Sequence, residues 1–177
     1  NCVYHVDVVD AMFRQPHTNN TLPYANLWVE KDVEVQAVNY DLGRNGYAYF
    51  DTDTATYWVS TGKRTEWNIG RVYRNDGVDI AKDAEKYIVD NFVTDEWLQY
   101  SLFSKKSRTY VLFLRLKSES PGKIRVELNG KVVEKQINKS TTWEQVSLGT
   151  VPVKEGTNTV HIQVIDGNVQ FSGFQLR

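Results

Sequence analysis

The sequence has little of several residue types that would support particular folds or functions. One cysteine, Cys2, and one methionine occur among 177 residues, which excludes an internal disulfide and a cysteine-cluster metal site. The 21 Lys and Arg residues against 22 Asp and Glu residues give a formal net charge of -1, without the basic excess of a nucleic-acid binder. No apolar run approaches the roughly 20 residues of a membrane-spanning helix. We therefore expect no nucleic-acid partner and no membrane span.

Aromatic residues are abundant by contrast. The chain contains 5 Trp, 10 Tyr and 7 Phe, which together make up 12% of its residues. Its length suits one domain, and the core of that domain must be aliphatic and aromatic because sulfur-containing side chains are nearly absent. Some aromatic rings then remain for a surface.

Alternating apolar residues predict strands from Val33 onward. In 110–116 and 124–128 every second residue is apolar and is expected to face the core. Asn129-Gly130 follows the second of these strands and is typical of a type I′ hairpin turn, in which both central residues take positive φ. Short strands separated by turn residues, without an amphipathic helix, predict an all-β sandwich or jelly roll of two antiparallel sheets. The predicted core residues of the two strands are Tyr110, Leu112, Leu114, Leu116, Ile124, Val126 and Leu128.

Several positions need separate interpretation. Residues 1–32 contain two prolines and are interpreted as a linker or an N-terminal extension before a module that spans 33–177. The segment 81–87 is expected to form one helical turn at most. Trp97 and Tyr100 are predicted to lie in the core, and His161 is predicted to face solvent from its strand.

The sequence gives little support for catalysis. The three histidines are scattered, and there is neither a zinc-protease motif nor a glycine-rich phosphate loop. Glycoside hydrolysis needs two positioned carboxylates, for which the pairs Asp51/Asp53 and Asp95/Glu96 are candidates. Acidic pairs are common in turns, however, and a small hydrolase or lyase remains only as an alternative function.

Carbohydrate binding makes better use of the aromatic residues. A pyranose presents a flat C–H face that stacks on Trp or Tyr, while its hydroxyls need planar amide or carboxylate partners. The sequence places candidate residues of both kinds near predicted loops. These are Tyr73, Tyr87, Trp143 and Asn168.

Five segments in order resemble the family 6 carbohydrate-binding modules, which are attached to bacterial polysaccharide-degrading enzymes. The resemblance extends over about 33–177, and each motif is weak by itself. The segments are 35–41 (VQAVNYD), 43–51 (GRNGYAYFD), 73–80 (YRNDGVDI), 96–100 (EWLQY) and 110–116 (YVLFLRL).

This resemblance implies a galactose-binding-domain-like β-sandwich that binds a polysaccharide or oligosaccharide without catalysis. The family holds a sugar between a Tyr and a Trp in a loop cleft, with an Asn bonding hydroxyls, and these residues map to Tyr87, Trp143 and Asn168. The segment 82–86 (KDAEK) replaces the family's usual glycines, so a bulkier and charged rim is expected. The insertion 54–69, with three aromatic residues, is expected either to lie near the cleft or to cover an edge strand.

The resemblance also implies partners and a cofactor. A structural Ca²⁺ in the family uses residues of the first strand, which map here to Gln36 and to Val38, whose side chain has no oxygen ligand. The expected partners are the glycan and a catalytic domain of the same enzyme, the expected state is a monomer, and the expected location is secreted, periplasmic or at the cell surface. The alternative is a structural or interaction domain that packs against that catalytic domain.

Overall fold

The computed structural model describes residues 18–52, 73–74 and 76–177. In this part of the chain almost all regular structure is β, apart from a 3-10 turn over Ala37–Asn39. The described residues contain no helix of the length and apolarity that crossing a membrane requires. The strands are β1 (Leu27–Trp28), β2 (Val33–Gln36), β3 (Tyr49–Phe50), β4 (Ile80–Asp83), β5 (Lys86–Val93), β6 (Trp97–Ser104), β7 (Arg108–Ser118), β8 (Gly122–Leu128), β9 (Lys131–Ile137), β10 (Ser140–Val153), β11 (Gly156–Asp166) and β12 (Asn168–Leu176).

Two sheets form the predicted β-sandwich. The first sheet has the order β1-β6-β11-β8-β9, with β3 also paired to β6, and the second has the order β10-β7-β12-β5-β4, with β2 also paired to β12. Pairing is antiparallel except between β1 and β6. The seven side chains predicted to face the core in 110–116 and 124–128 are all buried. Asn129 and Gly130 both have positive φ, 51° and 85°, as the type I′ turn between β8 and β9 requires.

The segment 81–87 forms a β-hairpin, and the prediction of a helical turn is wrong. Strands β4 and β5 pair from Ile80↔Val89 to Asp83↔Lys86, around a turn in which Ala84 has a φ of 53°. Ile80 and Val89 are both buried in the core. Cross-strand burial therefore overrides the helix preference of the Lys-, Glu- and Ala-rich sequence between them.

Trp97 lies outside the core, so its predicted position is also wrong. Leu98 and Tyr100 are buried, which turns Trp97 to the outer face of the first sheet, where it is only half-buried. Its ring lies 4.5 Å from that of His161, which shares the outer face but is itself half-buried. Tyr100 is fully buried, as predicted.

We expect His161 to titrate below the usual range of a histidine. Burial lowers the pKa of His161 from 6.5; Glu127 raises it and Arg125 lowers it further, both to a smaller extent. Because the unfolded chain then binds the proton first, this group lowers the stability as the pH falls from about 6.5 through the pKa of the folded state. An NMR titration of the imidazole protons, assigned with His161→Gln, measures that pKa. A value at or above 6.5 would contradict the burial described above.

The segment 18–32 contributes to the first sheet. Its strand β1 pairs with β6, and Val29 is buried in the core. Residues 1–17 and the predicted insertion 54–69 lie outside the described residues. The domain boundary at 33 therefore stays a prediction.

Strand β12 changes partner at Gly173, and this positions the hairpin of β4 and β5. Between Asn168 and Phe171 it pairs with β5, whereas from Gly173 to Leu176 it pairs with β2. Gly173 has a φ of +144°, and a Cβ there would lie 2.1 Å from the Val35 carbonyl oxygen. The close approach of β2 therefore requires glycine, and it leaves the first residues of β5 paired only with β4.

A buried polar cluster joins Arg74 and Asp76 to the end of the 3-10 turn. The Arg74 side chain is 3% exposed, and its Nε lies 2.9 Å from Asp76 Oδ2. Its Nη2 donates to the Asp41 carbonyl at 3.1 Å and its Nη1 donates to the Tyr40 carbonyl. The guanidinium lies 3.6 Å from the centre of the Tyr40 ring, and the Tyr40 hydroxyl donates to Asp76. This arginine of the YRNDGVDI motif is therefore a structural residue.

Candidate functional site

The outer face of the second sheet carries a cluster of aromatic, amide and charged side chains around Trp143. We call this set the Trp143 cluster. Its strands alternate between buried residues and residues that point away from the core, and the latter form the cluster. Its members are Trp143 and Gln145 on β10, Arg115 and Lys117 on β7, Gln175 on β12, Glu34 on β2, Asp83 on β4 and Lys86 on β5.

The hairpin of β4 and β5 brings a carboxylate to Trp143. In the sheet order, β4 and β10 are at opposite edges. The Trp143 Nε1–H nevertheless donates to Asp83 Oδ2 at 2.7 Å. The hairpin tip therefore leaves the sheet plane where β2 replaces β5 beside β12, and it crosses the outer face toward β10.

Two cations lie near the Trp143 ring. Lys117 Nζ lies 4.4 Å from the ring centre and Arg115 Cζ lies 5.8 Å from it, distances at which the ring quadrupole attracts positive charge. Lys117 Nζ also lies 3.3 Å from Asp83 Oδ2. One carboxylate oxygen therefore accepts from both the indole and the ammonium group.

A chain of hydrogen bonds continues from β10 to the hairpin. Gln145 Nε2 donates to Gln175 Oε1 at 2.8 Å, and Gln175 Nε2 donates to Glu34 Oε2 at 3.2 Å. Lys86 Nζ then donates to Glu34 Oε1 at 3.0 Å. The hairpin is thus attached to the sheet on two sides, through Asp83 and through Lys86.

The carboxylates of the cluster are stabilised in their charged form. The hydrogen bond from Trp143, followed by that from Lys117, lowers the pKa of Asp83. The hydrogen bond from Lys86 is the largest cause that lowers the pKa of Glu34. The cluster therefore offers one flat ring, two planar amides, three cations and two carboxylates, and such polar groups beside a ring suit the hydroxyls and the C–H face of a sugar.

The three predicted sugar-binding residues occupy different places. All three lie in strands: Tyr87 in β5, Trp143 in β10 and Asn168 at the start of β12. Asn168 pairs with Val93, six residues beyond Tyr87 on β5, so the two are about 20 Å apart along the strand. The Asn168 amide donates to Asn91 Oδ1 at 3.1 Å.

Tyr87 belongs to a second aromatic group. Its hairpin partner is Lys82, whereas Asp83 pairs with Lys86, so Tyr87 points from the opposite side of the hairpin to the carboxylate that holds Trp143. The Tyr87 ring lies 4.9 Å from that of Tyr73, which is 38% exposed. The structure therefore brings Tyr87 to Tyr73 and not to Trp143.

Tyr73 is the centre of this tyrosine group. Its ring also lies 5.9 Å from that of Tyr24, and its hydroxyl donates to Asn39 Oδ1 at 2.7 Å. Burial, followed by the neighbouring Tyr24, raises the pKa of Tyr73 to about 12. The tyrosine group (Tyr24, Tyr73 and Tyr87) is a second surface on which a sugar could stack.

The expected calcium ligands do not form a recognisable site. Gln36 is exposed at the end of β2, and Val38 is fully buried in the apolar core. Within the described ranges there is no group of three or more His, Cys, Asp or Glu side chains that could hold a metal ion. Gln36 and Val38 therefore do not supply a pair of side-chain oxygen ligands, and the binding of Ca²⁺ stays a prediction.

Most partners of Trp143 could not be identified from sequence. Asp83 and Lys86 belong to the KDAEK segment, and the expectation of a charged rim there was the one sequence signal for these two residues. Arg115, Glu34 and Gln175 are ordinary outward-facing strand residues without a motif. They meet only because β7, β12 and β2 are neighbours in the sheet.

Comparisons with solved structures support the fold. The Podospora anserina GH26-CBM35 β-(1,4)-mannanase is 18% identical with a TM-score of 0.56, and the match covers 84% of this chain and 28% of that one. CsCBM6-3 from Clostridium stercorarium, solved with cellobiose, is 10% identical with a TM-score of 0.57, and the match covers 86% and 96%. A family 35 module from Clostridium thermocellum is 14% identical with a TM-score of 0.54, and the match covers 83% and 98%. The matched part of this chain thus spans nearly all of each isolated module but only 28% of the mannanase.

Sequence comparison identifies the family. No match is found among curated proteins. The model of the carbohydrate binding module (family 35) matches residues 74–176, more than half of the chain. A carbohydrate-binding module is therefore confirmed, whereas membership of family 6 is not. The chain belongs to carbohydrate-binding module family 35.

Proposed function

We propose that this module binds a neutral polysaccharide at the Trp143 cluster, without catalysis, and directs an attached glycoside hydrolase to that polysaccharide. The main observation that supports this proposal is the Trp143 ring, which is flanked by amide and charged side chains on the outer face of the second sheet. The attachment is supported by the mannanase that contains a module of this fold. A secreted or cell-surface location would follow from such a partner.

Replacing Trp143 tests the site. Binding of the wild-type chain to mannohexaose, cellohexaose and xylohexaose is measured by calorimetry, and the best ligand is then used for the variants. We expect Trp143→Ala to weaken binding more than tenfold, a loss of about 1.4 kcal/mol or more, because the stacking surface is removed.

The matched control is Trp28→Ala. Trp28 is 48% exposed on β1 of the first sheet, so its removal takes away a similar ring from the other sheet of the sandwich. Its affinity should equal that of the wild type. Equal binding by Trp143→Ala, together with loss of binding in Tyr73→Ala, would move the site to the tyrosine group.

An interaction domain without glycan affinity is the remaining alternative. In that case the wild-type chain would bind none of the three hexasaccharides. Reducing-sugar release from mannan, glucan or xylan by the isolated chain would instead contradict the non-catalytic part of the proposal.

A further inference from the structure

We propose that Asp83 is a positioning residue that holds the Trp143 indole in the orientation that sugar stacking requires. This inference rests on the proposed function and adds to it the residue that prepares the stacking surface before a ligand arrives. Asp83 belongs to the hairpin of β4 and β5, whereas Trp143 belongs to the opposite edge strand of the same sheet.

The indole has one hydrogen-bond donor, and Asp83 accepts it. The Nε1–H of Trp143 lies 2.7 Å from Asp83 Oδ2, a short distance typical of a bond to a charged acceptor. This bond restricts rotation of the ring about its side-chain bonds. The flat face of Trp143 is then presented in one orientation.

Lys117 reinforces this arrangement. Its ammonium lies 3.3 Å from the same Asp83 oxygen and 4.4 Å from the centre of the Trp143 ring. The indole is therefore held by a hydrogen bond at its edge and by a cation near its ring. Asp83 is the common partner of both groups.

The carboxylate is itself held in place by the hairpin. Lys86, the cross-strand partner of Asp83, bonds Glu34 on β2 at 3.0 Å. The position of Asp83 relative to the sheet is thus defined in the absence of ligand. Ordering of the ring before binding lowers the entropic cost of forming the complex.

A purely structural role for Asp83 accounts poorly for its surroundings. Its side chain is 40% exposed, and exposed ion pairs contribute little to folding. The residue lies at the end of β4, next to the turn. Its removal should therefore affect the ring more than the fold.

The experiment compares Asp83→Ala and Asp83→Asn with the control Glu85→Ala. Glu85 lies in the same turn, and its side chain is 97% exposed. In the free protein, the Trp143 Nε1–H resonance is followed by NMR and assigned with Trp143→Phe. We expect it to shift and to exchange faster in Asp83→Ala, and to stay near its wild-type position in Asp83→Asn, whose amide oxygen can accept the same bond. Glu85→Ala should leave it unchanged.

Binding is then measured with whichever of mannohexaose, cellohexaose and xylohexaose the wild type binds. Asp83→Ala should bind about five- to tenfold more weakly, Asp83→Asn should recover most of the affinity, and the melting temperature should change by less than about 2 °C. An unchanged resonance or an unchanged affinity in Asp83→Ala would overturn this inference alone. If the wild type binds none of the three, the proposed function fails and the inference fails with it.

Discussion

Replacing Arg74 with methionine should lower the free energy of unfolding by about 3–5 kcal/mol, because the Asp76 carboxylate then remains buried without its cation. The side chains of Arg74 and Asp76 are 3% and 6% exposed, so water cannot replace the lost partner. The variant also loses the bonds from the guanidinium to the Tyr40 and Asp41 carbonyls. Urea unfolding followed by tryptophan fluorescence measures the loss.

Two further variants distinguish the loss of the buried ion pair from the effect of replacing any arginine. Arg44→Met removes an exposed arginine and should change the stability by no more than about 0.5 kcal/mol. In the double variant Arg74→Met/Asp76→Asn the buried charge is removed as well. The double variant should therefore lose less stability than the sum of the losses in Arg74→Met and Asp76→Asn. A loss below about 1 kcal/mol in Arg74→Met would show that the cluster contributes little to the fold.

Replacing Gly173 with alanine should destabilise the protein by more than about 3 kcal/mol and weaken the pairing of β2 with β12. The added Cβ would lie 2.1 Å from the Val35 carbonyl oxygen and 3.1 Å from the Ala37 nitrogen. Both neighbours are backbone atoms, so a side-chain rotation cannot relieve the contact. Urea unfolding measures the loss of stability, and amide exchange of β2 reports its detachment.

Gly149→Ala is the matched control. Gly149 also has positive φ, +79°, but nothing lies within 4 Å of the position that its Cβ would occupy. Its replacement should cost only the backbone strain of an alanine in that conformation, about 1–2 kcal/mol. Equal losses in the two variants would mean that backbone conformation, and not the approach of β2, requires Gly173.

Much of the fold follows from patterns a few residues long. The alternation in 110–116 and the Asn129-Gly130 turn each specify one face or one conformation, and both are as predicted. The buried face of strand β6 is harder to predict because apolar residues occupy both of its faces. Trp97 and Leu98 are adjacent in sequence, and only the pairing of the strand decides which of them is buried. The hairpin of β4 and β5 was missed because good helix formers fill its turn.

The candidate site depends on contacts between residues that are far apart in the sequence. An aromatic ring at Trp143 was predicted, but its partner Asp83 is 60 residues away in sequence. The two meet because β2 displaces β5 from β12, which depends on how three strands compete for one edge. Tyr87 was predicted to lie opposite Trp143 because its position in the sequence resembles that of a sugar-binding Tyr of the family. In the structure it lies on the other face of the hairpin, where it contacts Tyr73.

The partner change of β12 at Gly173 separates the tip of the hairpin of β4 and β5 from the backbone ladder of the core. Beyond this point the hairpin is joined to the sheet by side-chain bonds from Asp83 and Lys86, while the backbone ladder of the core continues through β2. Exposed ion pairs of this kind contribute little to stability. Substitutions at Asp83 and Lys86 should therefore leave the sandwich intact, because the backbone ladder of the core does not pass through these residues.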